Sequence, residues 1–550
     1  MNKDETYQRI KDLFPLSYDD DRFTFTISKI KKELSNKLKM ADSARYSGDY
    51  TEKEYLKLSE EYSKLSDNGE EHVGFLSKLV SDLFSGVPRW RSPKIMYNIC
   101  AASNLAASVA YTLGLEDNIH NVNNGLSGNT LVAEKSVVSI LSKLADIKSK
   151  PYGLFTFGGT STNLYAIKMG IKKCHPESSF TGMDGKTKVL LTEDCHFSHA
   201  SNADWLGVGL DNVVTIEANR DRTSNVDDFR TKASQILKSG FRIGAIILNG
   251  GTTYGHTIDD IEAFVQVRDQ LVIDHNLGYK PHIHIDSVIG WSWLVFRGYN
   301  FKENELEIEE VTLQKIKLQY ERISKINKAD SWGIDFHKGV GSTPAVSSMI
   351  MANSFEDISM LSKKVSSKTE IHQLAQEFSS YSPVDYTLET TRASGSALAA
   401  LTTLHVLGLN GLRRNLANLV EQTVYMRSLI DQQTDAVVAN SESNGFVTMV
   451  RLLPPEIQRK DIYKYTDEEN LLINKYLNNF FKWDKTNRID KGQGIEYSVS
   501  SSYLKINSSS IAAIKLYPTS PHFSKTDALE AVNIIIDQKK KFDSQNQRIN

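Results

Sequence analysis

The segment GLFTFGGTSTNLYAIKMGIKKC, residues 153–174, gives the clearest indication of fold class, because its periodicity changes in the middle. Its first five residues form a short apolar run of the length of a buried strand. Gly158 and Gly159 then interrupt the run, and the residues that follow have apolar side chains at helical spacing. A strand that turns through two glycines into a helix predicts one unit of an α/β protein.

The same alternation continues toward the C-terminus. Further short apolar runs are KVLLT near residue 188, NVVTIEA near 212, GAIILNG near 244, HIHID near 282 and ADSWGID near 329. Helical patterns such as DDIEAFVQVRDQLVIDH separate them. Alternation over about 200 residues predicts a mostly parallel sheet with helices on both faces. Ligands of such sheets bind at the carboxyl ends of the strands.

Changes in composition predict three regions around this alternation. Residues 1–90 are polar and helix-prone, and we expect an N-terminal helical extension. Residues 91–400 form the predicted large domain, in which the charged stretch 300–328 is interpreted as a surface insertion. Residues 401–550 combine helical patterns with strand-like runs, which predicts a small α+β C-terminal domain.

Charge and composition are ordinary for a soluble globular protein. The chain has 550 residues, a formal net charge of -2, 40% hydrophobic and 24% charged residues. Such a balance gives no basis for a nucleic-acid or membrane partner, and no run of about 18 apolar residues is present.

Cysteine usage bears on the compartment. Cys100, Cys174 and Cys195 match no disulfide or zinc framework, which favours a reducing environment. The N-terminal residues MNKDETYQRIKDLF lack the apolar region of a secretory signal. We therefore expect a cytoplasmic protein.

Two candidate sites directly follow the first predicted strands. Gly158 and Gly159 allow the backbone to approach an anion, and the Thr160 hydroxyl and helix N-terminal amides can bind phosphate. A plain N-cap turn explains the same residues equally well. His196 follows the second strand and could stack on a flat heteroaromatic ring, although a structural histidine is the simpler alternative.

The run HIHIDS places His282, His284 and Asp286 on one face of a strand. Two histidines and an aspartate are good metal ligands. The first and third of these residues would nevertheless lie about 13 Å apart, too far for one ion. We therefore predict no metal, and a carboxylate at a strand end instead suits pairing with a protonated pyridine nitrogen.

Lys338, in DFHKGVGS, lies just past the last predicted strand. A lysine at this position is a candidate imine-forming amine, because burial and neighbouring charge can lower its pKa and make it nucleophilic. An ordinary surface lysine is the alternative.

The ordered set GGTSTN, HFS, GTT, HIHIDS and DFHK resembles the group II pyridoxal 5′-phosphate (PLP)-dependent amino acid decarboxylases, a family that includes the aromatic amino acid and glutamate decarboxylases. The resemblance covers roughly residues 90–450. It implies the PLP-dependent transferase fold, fold type I, with PLP as the cofactor. It also implies a homodimer with its active site at the subunit interface.

The resemblance further implies a role for each candidate residue. Lys338 would bind PLP as a Schiff base, Asp286 would pair with the ring nitrogen, and His196 would stack on the ring. The remaining implied cofactor contacts are Gly159, Thr160 and His337 at the phosphate, with Gly158 and Asp335 nearby, and Thr253 near the ring with Asp259 behind it.

The activity implied by the resemblance is decarboxylation of an L-amino acid to an amine and carbon dioxide. A carbon–carbon lyase, an aldehyde-forming oxidative deaminase or an aminotransferase would use the same fold and lysine. A non-catalytic paralogue is a further alternative, against which the intact Lys338, Asp286 and His196 argue. The sequence does not identify the amino acid substrate.

Several residues depart from the family pattern or have no assigned role. Val288 replaces a small residue close to the ring, and the segment between Asp286 and Lys338 is longer than usual. Tyr381 and Tyr386 are candidates for the proton-donating tyrosine of the family. Arg392 could serve the site or form a structural ion pair.

Overall fold

A seven-stranded mixed β-sheet forms the centre of the computed structural model, which describes residue 8 and residues 10–14, 21–37, 43–67, 69–362, 381–506 and 508–546. Its strands are β1 (Tyr152–Thr156), β2 (Thr187–Thr192), β3 (Val213–Ile216), β4 (Arg242–Asn249), β5 (His282–Asp286), β6 (Ser331–Asp335) and β7 (Ser348–Ala352). They lie in the order β1-β7-β6-β5-β4-β2-β3.

The six predicted apolar runs form β1 to β6, which confirms the α/β fold class. The sequence did not indicate β7, which pairs antiparallel with both β1 and β6. No helical pattern separates β6 from β7, so the rule of alternating strands and helices could not find it. All five residues of β7 are buried, as expected for a strand in the interior of a covered sheet.

Both faces of the central sheet are covered by apolar side chains. Leu190 and Ile246 belong to one buried cluster, whereas their neighbours Val189 and Ile247 belong to a second cluster. Successive side chains of a strand point to opposite faces, so the two clusters lie on the two sides of the sheet. This arrangement confirms the prediction of helices on both faces.

Helices cover the central sheet, and further helices precede and follow it along the chain. Those of eight residues or more are α1 (Arg22–Lys37), α2 (Glu52–Tyr62), α3 (His72–Leu83), α4 (Leu105–Glu116), α5 (Leu131–Leu144), α6 (Gly159–Cys174), α7 (Ser198–Trp205), α8 (Val226–Lys238), α9 (Ile261–Asp274), α10 (Glu310–Ile323), α11 (Gly395–Asp431), α12 (Asp467–Asn487) and α13 (Lys525–Asn546). Shorter α-helical turns are Asn124–Ser127, Ser178–Thr181 and Phe355–Ser359. The 3₁₀ segments are Gly128–Thr130, Leu210–Asn212, Gly290–Phe296, Ser324–Lys328, Pro383–Asp385, Ile462–Lys464 and Ile489–Lys491.

Helix α10 lies in the crossover from β5 to β6, within the stretch predicted as a surface insertion. One face of α10 is buried, including Leu313, Ile316 and Ile323, and it packs against the 3₁₀ segment Gly290–Phe296 and against α11. The surface interpretation is therefore wrong for this face. Charged side chains on the opposite face outnumber the apolar ones and obscured the apolar stripe.

Helix α11 contains a break at Gly408, whose φ of 59° and ψ of -179° interrupt the helical geometry. The helix packs against α4, α5 and α13, and the predicted domain boundary at residue 400 lies within its first part. Among the described residues, α11 alone has the length and composition of a membrane-crossing helix, a criterion that core helices of soluble proteins also meet.

The C-terminal region contains a four-stranded antiparallel sheet. Its strands are β8 (Ala436–Val438), β9 (Thr448–Leu452), β10 (Ser498–Ile506) and β11 (Ser509–Leu516), in the order β10-β11-β9-β8. With α12 and α13 they give the α+β architecture expected for this part of the chain. The strand-like runs of this region, DAVVA, GFVTMVRLL and SIAAIKLYP, correspond to β8, β9 and β11. The sequence did not indicate β10, because its serine-rich run SVSSSYLKI lacks a regular apolar period.

The N-terminal region consists of α1 to α3 and the segment that joins them to the large domain. Helix α2 has no buried residue among those described, which agrees with the many charged side chains in its sequence. Arg45 contacts the buried Glu496 through its Nε and Nη2 atoms, at 2.5 and 2.8 Å. This ion pair joins the N-terminal region to the C-terminal one.

Candidate active site

The carboxyl ends of five strands meet at one edge of the central sheet. Strands β2, β4, β5 and β6 are parallel, and β1 has the same direction because two antiparallel pairings separate it from β6. The segments that leave these ends carry the candidate residues Gly158, Gly159 and Thr160, then His196, Thr253, Asp286, His337 and Lys338. The topology therefore gathers all the candidates at the edge where open α/β sheets bind ligands.

Two glycines shape the turn from β1 into α6. Gly158 has a φ of 130°, which a residue with a side chain rarely adopts. A Cβ atom on Gly159 would lie 2.7 Å from Asp335 Oδ2, so only glycine allows this approach of α6 to the end of β6. Both glycines are thus required by the local geometry.

The first turn of α6 is open to an anion. Among the described residues, no side chain caps this helix, and the exposed Thr160 carries a hydroxyl beside its first amides. The Ser161 and Thr162 hydroxyls instead donate to the Gly158 and Gly159 carbonyls, at 2.5 and 2.7 Å. Uncapped N-terminal amides at the positive end of a helix dipole suit a phosphate group.

Asp286, at the end of β5, is bonded mainly through one carboxylate oxygen. Its Oδ2 accepts from His199 Nε2 at 2.7 Å and from Asn163 Nδ2 at 3.2 Å. Among the described residues, its Oδ1 accepts only from the Val288 amide, at 3.4 Å, and so retains capacity to accept. Burial opposes ionisation, yet the bond from His199 holds the pKa of Asp286 well below its usual value.

Lys338 forms an ion pair with Asp335, the last residue of β6. Its Nζ atom lies 2.9 Å from Asp335 Oδ2. Burial disfavours the charged amine, but Asp335 and Asp286 outweigh this effect and raise the pKa of Lys338. The expectation of a lowered lysine pKa is therefore wrong here, because it considered burial without the carboxylate three residues earlier.

His337 lies next to the same carboxylate. Its Nε2 is 3.6 Å from Asp335 Oδ2, and its buried Nδ1 has no hydrogen-bond partner within the described parts of the chain. Burial lowers the pKa of His337, which favours the neutral ring. Its carbonyl accepts from the Ala101 amide at 2.8 Å, so the segment MYNICAAS lies against this side of the site.

His196 follows β2 at the same edge of the sheet. The ring is partly open to solvent, and its Nδ1 lies 2.8 Å from the Ser198 hydroxyl. The charges of Asp286 and Lys338 both act on it, which places it among the site residues. An exposed ring whose orientation is held by a hydrogen bond suits a stacking role.

Thr253 lies half-buried in the loop that leaves β4. Its neighbour Thr252 holds that loop, since the Thr252 hydroxyl accepts from the amides of residues 255 and 257 at 3.3 and 3.1 Å. Asp259 lies behind the loop and accepts from the Ser224 and Asn249 amides, both at 2.7 Å. Burial raises the pKa of Asp259 to about 6.

The two histidines of HIHIDS share one partner within the protein. His282 Nε2 and His284 Nδ1 each lie 2.7 Å from the Ser331 hydroxyl, and both rings are fully buried. No group of three histidine, cysteine or acidic side chains suited to a metal ion occurs among the described residues. One nitrogen of each ring is thus bonded within the sheet, whereas His282 Nδ1 and His284 Nε2 have no hydrogen-bond partner among the described residues.

Arg392 forms a structural ion pair. Its Nη1 and Nη2 atoms contact the two carboxylate oxygens of Glu134, at 2.8 and 3.0 Å, and both side chains are buried. Nη1 also donates to the Phe155 carbonyl at 2.9 Å. Of the two alternatives left open by the sequence, the structure supports the ion pair.

The two candidate tyrosines pack away from the site edge. The Tyr381 hydroxyl donates to the Gly153 carbonyl at 2.8 Å, and Tyr386 packs edge-on against Tyr152. Both contacts are at the amino-terminal end of β1, opposite Gly158. Residues 363–380, which directly precede Tyr381, lie outside the described residues.

Three residues near the site were not identified from the sequence: Asn163, His199 and Lys515. Asn163 is the last residue of the motif GGTSTN, and His199 directly follows the motif HFS, so each lay within or beside a recognised motif. Lys515 lies on β11, far along the chain, and no local pattern linked it to the site. The charge of Lys338 acts on Lys515, which shows that β11 reaches this region.

Curated proteins of similar sequence are decarboxylases, although no family model matches the chain. The L-2,4-diaminobutyrate decarboxylase of Rhizobium meliloti is 28% identical over 195 residues, covering 36% of this chain and 37% of that protein. The aspartate 1-decarboxylase of Aliivibrio fischeri is 24% identical over 354 residues, covering 61% of this chain and 57% of that protein. Each match thus spans less than two thirds of the relative's length.

Solved structures of similar fold align with nearly the whole chain. Mouse CSAD in apo form has a TM-score of 0.75 at 14% identity, covering 94% of this chain and 99% of that chain. Oryza sativa TDC with PLP and tryptamine has a TM-score of 0.74 at 12% identity, covering 96% and 99%. The chain therefore has the fold of these enzymes and resembles, in sequence and in structure, the group II PLP-dependent amino acid decarboxylases.

Proposed function

We propose that this protein is a PLP-dependent carboxy-lyase that converts an L-amino acid to its amine and carbon dioxide. The observation that carries the proposal is the meeting of three groups at one sheet edge. These are the uncapped start of α6, the ionised Asp286 and the amine of Lys338. The names of the sequence relatives support the same activity.

The residues present fit the cofactor at each of its polar ends. The glycine turn and the unpartnered Nδ1 of His337 suit the phosphate, and Asp286 Oδ1 can accept from the ring nitrogen. Lys338 supplies the amine that holds the aldehyde carbon. When bound, PLP acts as an electron sink for the bond broken at Cα.

The protein's own groups have distinct tasks in this reaction. Asp286 holds a proton at the ring nitrogen, because an ionised carboxylate in a buried setting strongly favours a cationic partner. His196 covers one face of the ring. Asp335 keeps Lys338 charged until the cofactor arrives, so the amine must lose that proton before it can react.

The properties of Lys515 favour a substrate that carries an anionic group. Its Nζ donates to Asn98 Oδ1 at 2.5 Å, and among the described residues no carboxylate forms an ion pair with it. Burial and the charge of Lys338 lower the pKa of Lys515 to about 8. A desolvated cation without a protein carboxylate is well suited to bind the carboxylate of an incoming amino acid.

Borohydride reduction in the presence of PLP tests the cofactor and its lysine together. Reduction should fix PLP covalently to the peptide that contains Lys338, as detected by mass spectrometry. A Lys338→Ala variant should lose the label, whereas Lys302→Ala, which alters an exposed lysine, should keep it. Absence of label on residue 338 in the wild-type protein would refute the proposal.

Product analysis tests the reaction itself. Incubation of the PLP-loaded protein with single amino acids should release carbon dioxide and the matching amine. An aldehyde product would instead favour an oxidative deaminase. This alternative has a specific basis, because the Rhodiola rosea 4-hydroxyphenylacetaldehyde synthase shares the fold with a TM-score of 0.72 at 14% identity, covering 96% of this chain and 99% of that chain.

We further propose that the protein acts as a homodimer in the cytoplasm. Helix α4 packs against α11, yet Leu105, Val109 and Leu113 remain exposed along its other side. An exposed apolar stripe of this kind suits contact with a second copy of the chain. The three free cysteines support a reducing compartment.

A further inference from the structure

His199 is a fully buried histidine that contacts the carboxylate of Asp286. It is the second residue of α7, and its Nε2 lies 2.7 Å from Asp286 Oδ2. An ionised carboxylate can only accept, so Nε2 carries the hydrogen. The proposed catalytic assignments leave this residue without a role.

Two groups favour a charged His199 ring: Asp286, which has the larger effect, and the neighbouring Cys195. Burial disfavours the imidazolium, and the start of a helix is unfavourable for a cation. The nearby His284 and His196 contribute no negative charge, and Cys195 lies beside the ring. The bond to Asp286 nevertheless raises the pKa of His199 to about 10.

The contact also determines which oxygen of Asp286 remains available. His199 and Asn163 both donate to Oδ2, whereas Oδ1 has only the long contact from the Val288 amide. Without His199, the buried carboxylate would keep two neutral donors, both at 3.2 Å or more. Burial would then favour the protonated acid, which is a poor acceptor for a ring N–H.

We propose that His199 is a positioning residue whose imidazolium occupies Asp286 Oδ2 and so keeps Oδ1 ionised for the ring nitrogen of the cofactor. The inference deepens the proposed function and rests on its cofactor. His199 acts through Asp286 and needs no contact with the substrate.

Three variants separate this role from a structural one. His199→Leu removes the donor, and His199→Gln keeps a neutral donor. His282→Leu removes another fully buried histidine, which lies at the amino-terminal end of β5 and contacts Ser331 instead. The readouts are the Kd for PLP and the ¹⁵N NMR shift of PLP labelled at its pyridine nitrogen.

The expected results differ between the variants. His199→Leu should weaken PLP binding at least about tenfold, as expected for loss of a charge-assisted contact, and should move the ring nitrogen signal toward the unprotonated form. His199→Gln should weaken PLP binding less than His199→Leu, since one neutral donor remains, but it should still move the ring nitrogen signal toward the unprotonated form because the positive charge is lost. His282→Leu should leave both readouts unchanged even if it melts at a lower temperature.

Each outcome bears on the inference. A folded His199→Leu variant with wild-type Kd and a protonated ring nitrogen would overturn it. If His199→Leu does not fold, ¹⁵N NMR of histidine-labelled wild-type protein at pH 8 provides the test, with the His199 signal identified from His199→Gln. An imidazolium there supports the inference and a neutral ring overturns it.

A wild-type protein that binds no PLP overturns the proposed function and this inference together, whereas normal binding in the wild type with unaffected variants overturns the role of His199 alone.

Discussion

Two lysines differ in their surroundings at the candidate site: Lys338 follows β6, and Lys515 lies on β11, where burial and the charge of Lys338 lower its pKa. Asp335 compensates the charge of Lys338 at 2.9 Å. Lys515 instead contacts the amide oxygen of Asn98 at 2.5 Å and lies 5.6 Å from the centre of the Tyr254 ring. The two amines are therefore suited to different tasks. In the proposed reaction, Lys338 would bind the cofactor and Lys515 would bind an anionic group of the substrate.

Replacement of Lys515 tests this division. Lys515→Met should lower kcat/KM for the best amino acid substrate about ten- to hundredfold, mainly through KM, because a hydrogen bond to a charged group contributes about 1.5–3 kcal/mol. Lys515→Arg should retain much of the activity, since the charge remains. Steady-state kinetics on both variants provides the check, and an unchanged KM in Lys515→Met would contradict the assignment.

The same residue predicts a pH dependence. Its pKa is lowered to about 8, so the proton that an ordinary lysine keeps to higher pH is lost in this range. If the charged form binds the substrate carboxylate, kcat/KM should fall as the pH rises through about 8. In Lys515→Arg this fall should move to higher pH, because arginine stays charged. Identical profiles in the two proteins would show that another group titrates.

At the scale of single elements, α10 shows how charged side chains can obscure, in the sequence, the apolar stripe of a helix that packs in the core. Its buried face packs on the segment Gly290–Phe296, which directly follows the Asp286 strand and includes two fully buried tryptophans. Helix α10, in the stretch interpreted from the sequence as an insertion, therefore packs against the segment that follows β5 beyond the candidate site. Removal of α10, or loss of the packing of its buried face, should lower the stability of the large domain.

Two leucines on α10 form a matched pair for this prediction. Leu313 is 3% exposed and Leu318 is 39% exposed, so the same substitution can be made on the buried and the open face. Leu313→Ala should cost about 2–5 kcal/mol of unfolding free energy through lost burial and the cavity left behind. Leu318→Ala should change it by less than about 1 kcal/mol. Denaturant unfolding measures both, and equal losses would refute the assignment of a buried face.

For the whole molecule, the exposed stripe of α4 supports the proposed homodimer. Val109 lies in the middle of this stripe and is 51% exposed, while the helix's opposite side packs against α11. The exposed Phe157 and Phe197 directly adjoin the candidate residues Gly158 and His196. These exposed rings suggest that a second copy of the chain also covers the mouth of the site.

Disruption of the stripe by charge tests the assembly. Val109→Asp should shift the protein from dimer to monomer and lower PLP retention, because a carboxylate in an apolar interface is costly to desolvate. Val311→Asp provides the control, since Val311 is 59% exposed on α10, away from the stripe. Sedimentation velocity resolves the two states. A wild-type protein that sediments as a monomer at micromolar concentration would refute the proposal.

Local periodicity in the sequence determined the six strands β1 to β6, the helices between them and therefore the α/β fold. It also placed the candidate residues at strand ends, because the turn after each strand is encoded by neighbouring residues. The tertiary structure alone decided the position of β7 between β1 and β6, the buried face of α10 and the ion pair of Arg392. It also decided that Asp335 raises the pKa of Lys338, that His199 pairs with Asp286 and that Lys515 reaches the site. The physical reason is that each of these features depends on contacts or charges brought together by folding, many of them between residues far apart in the chain, whereas a periodic pattern records only which side of its own strand or helix a residue occupies.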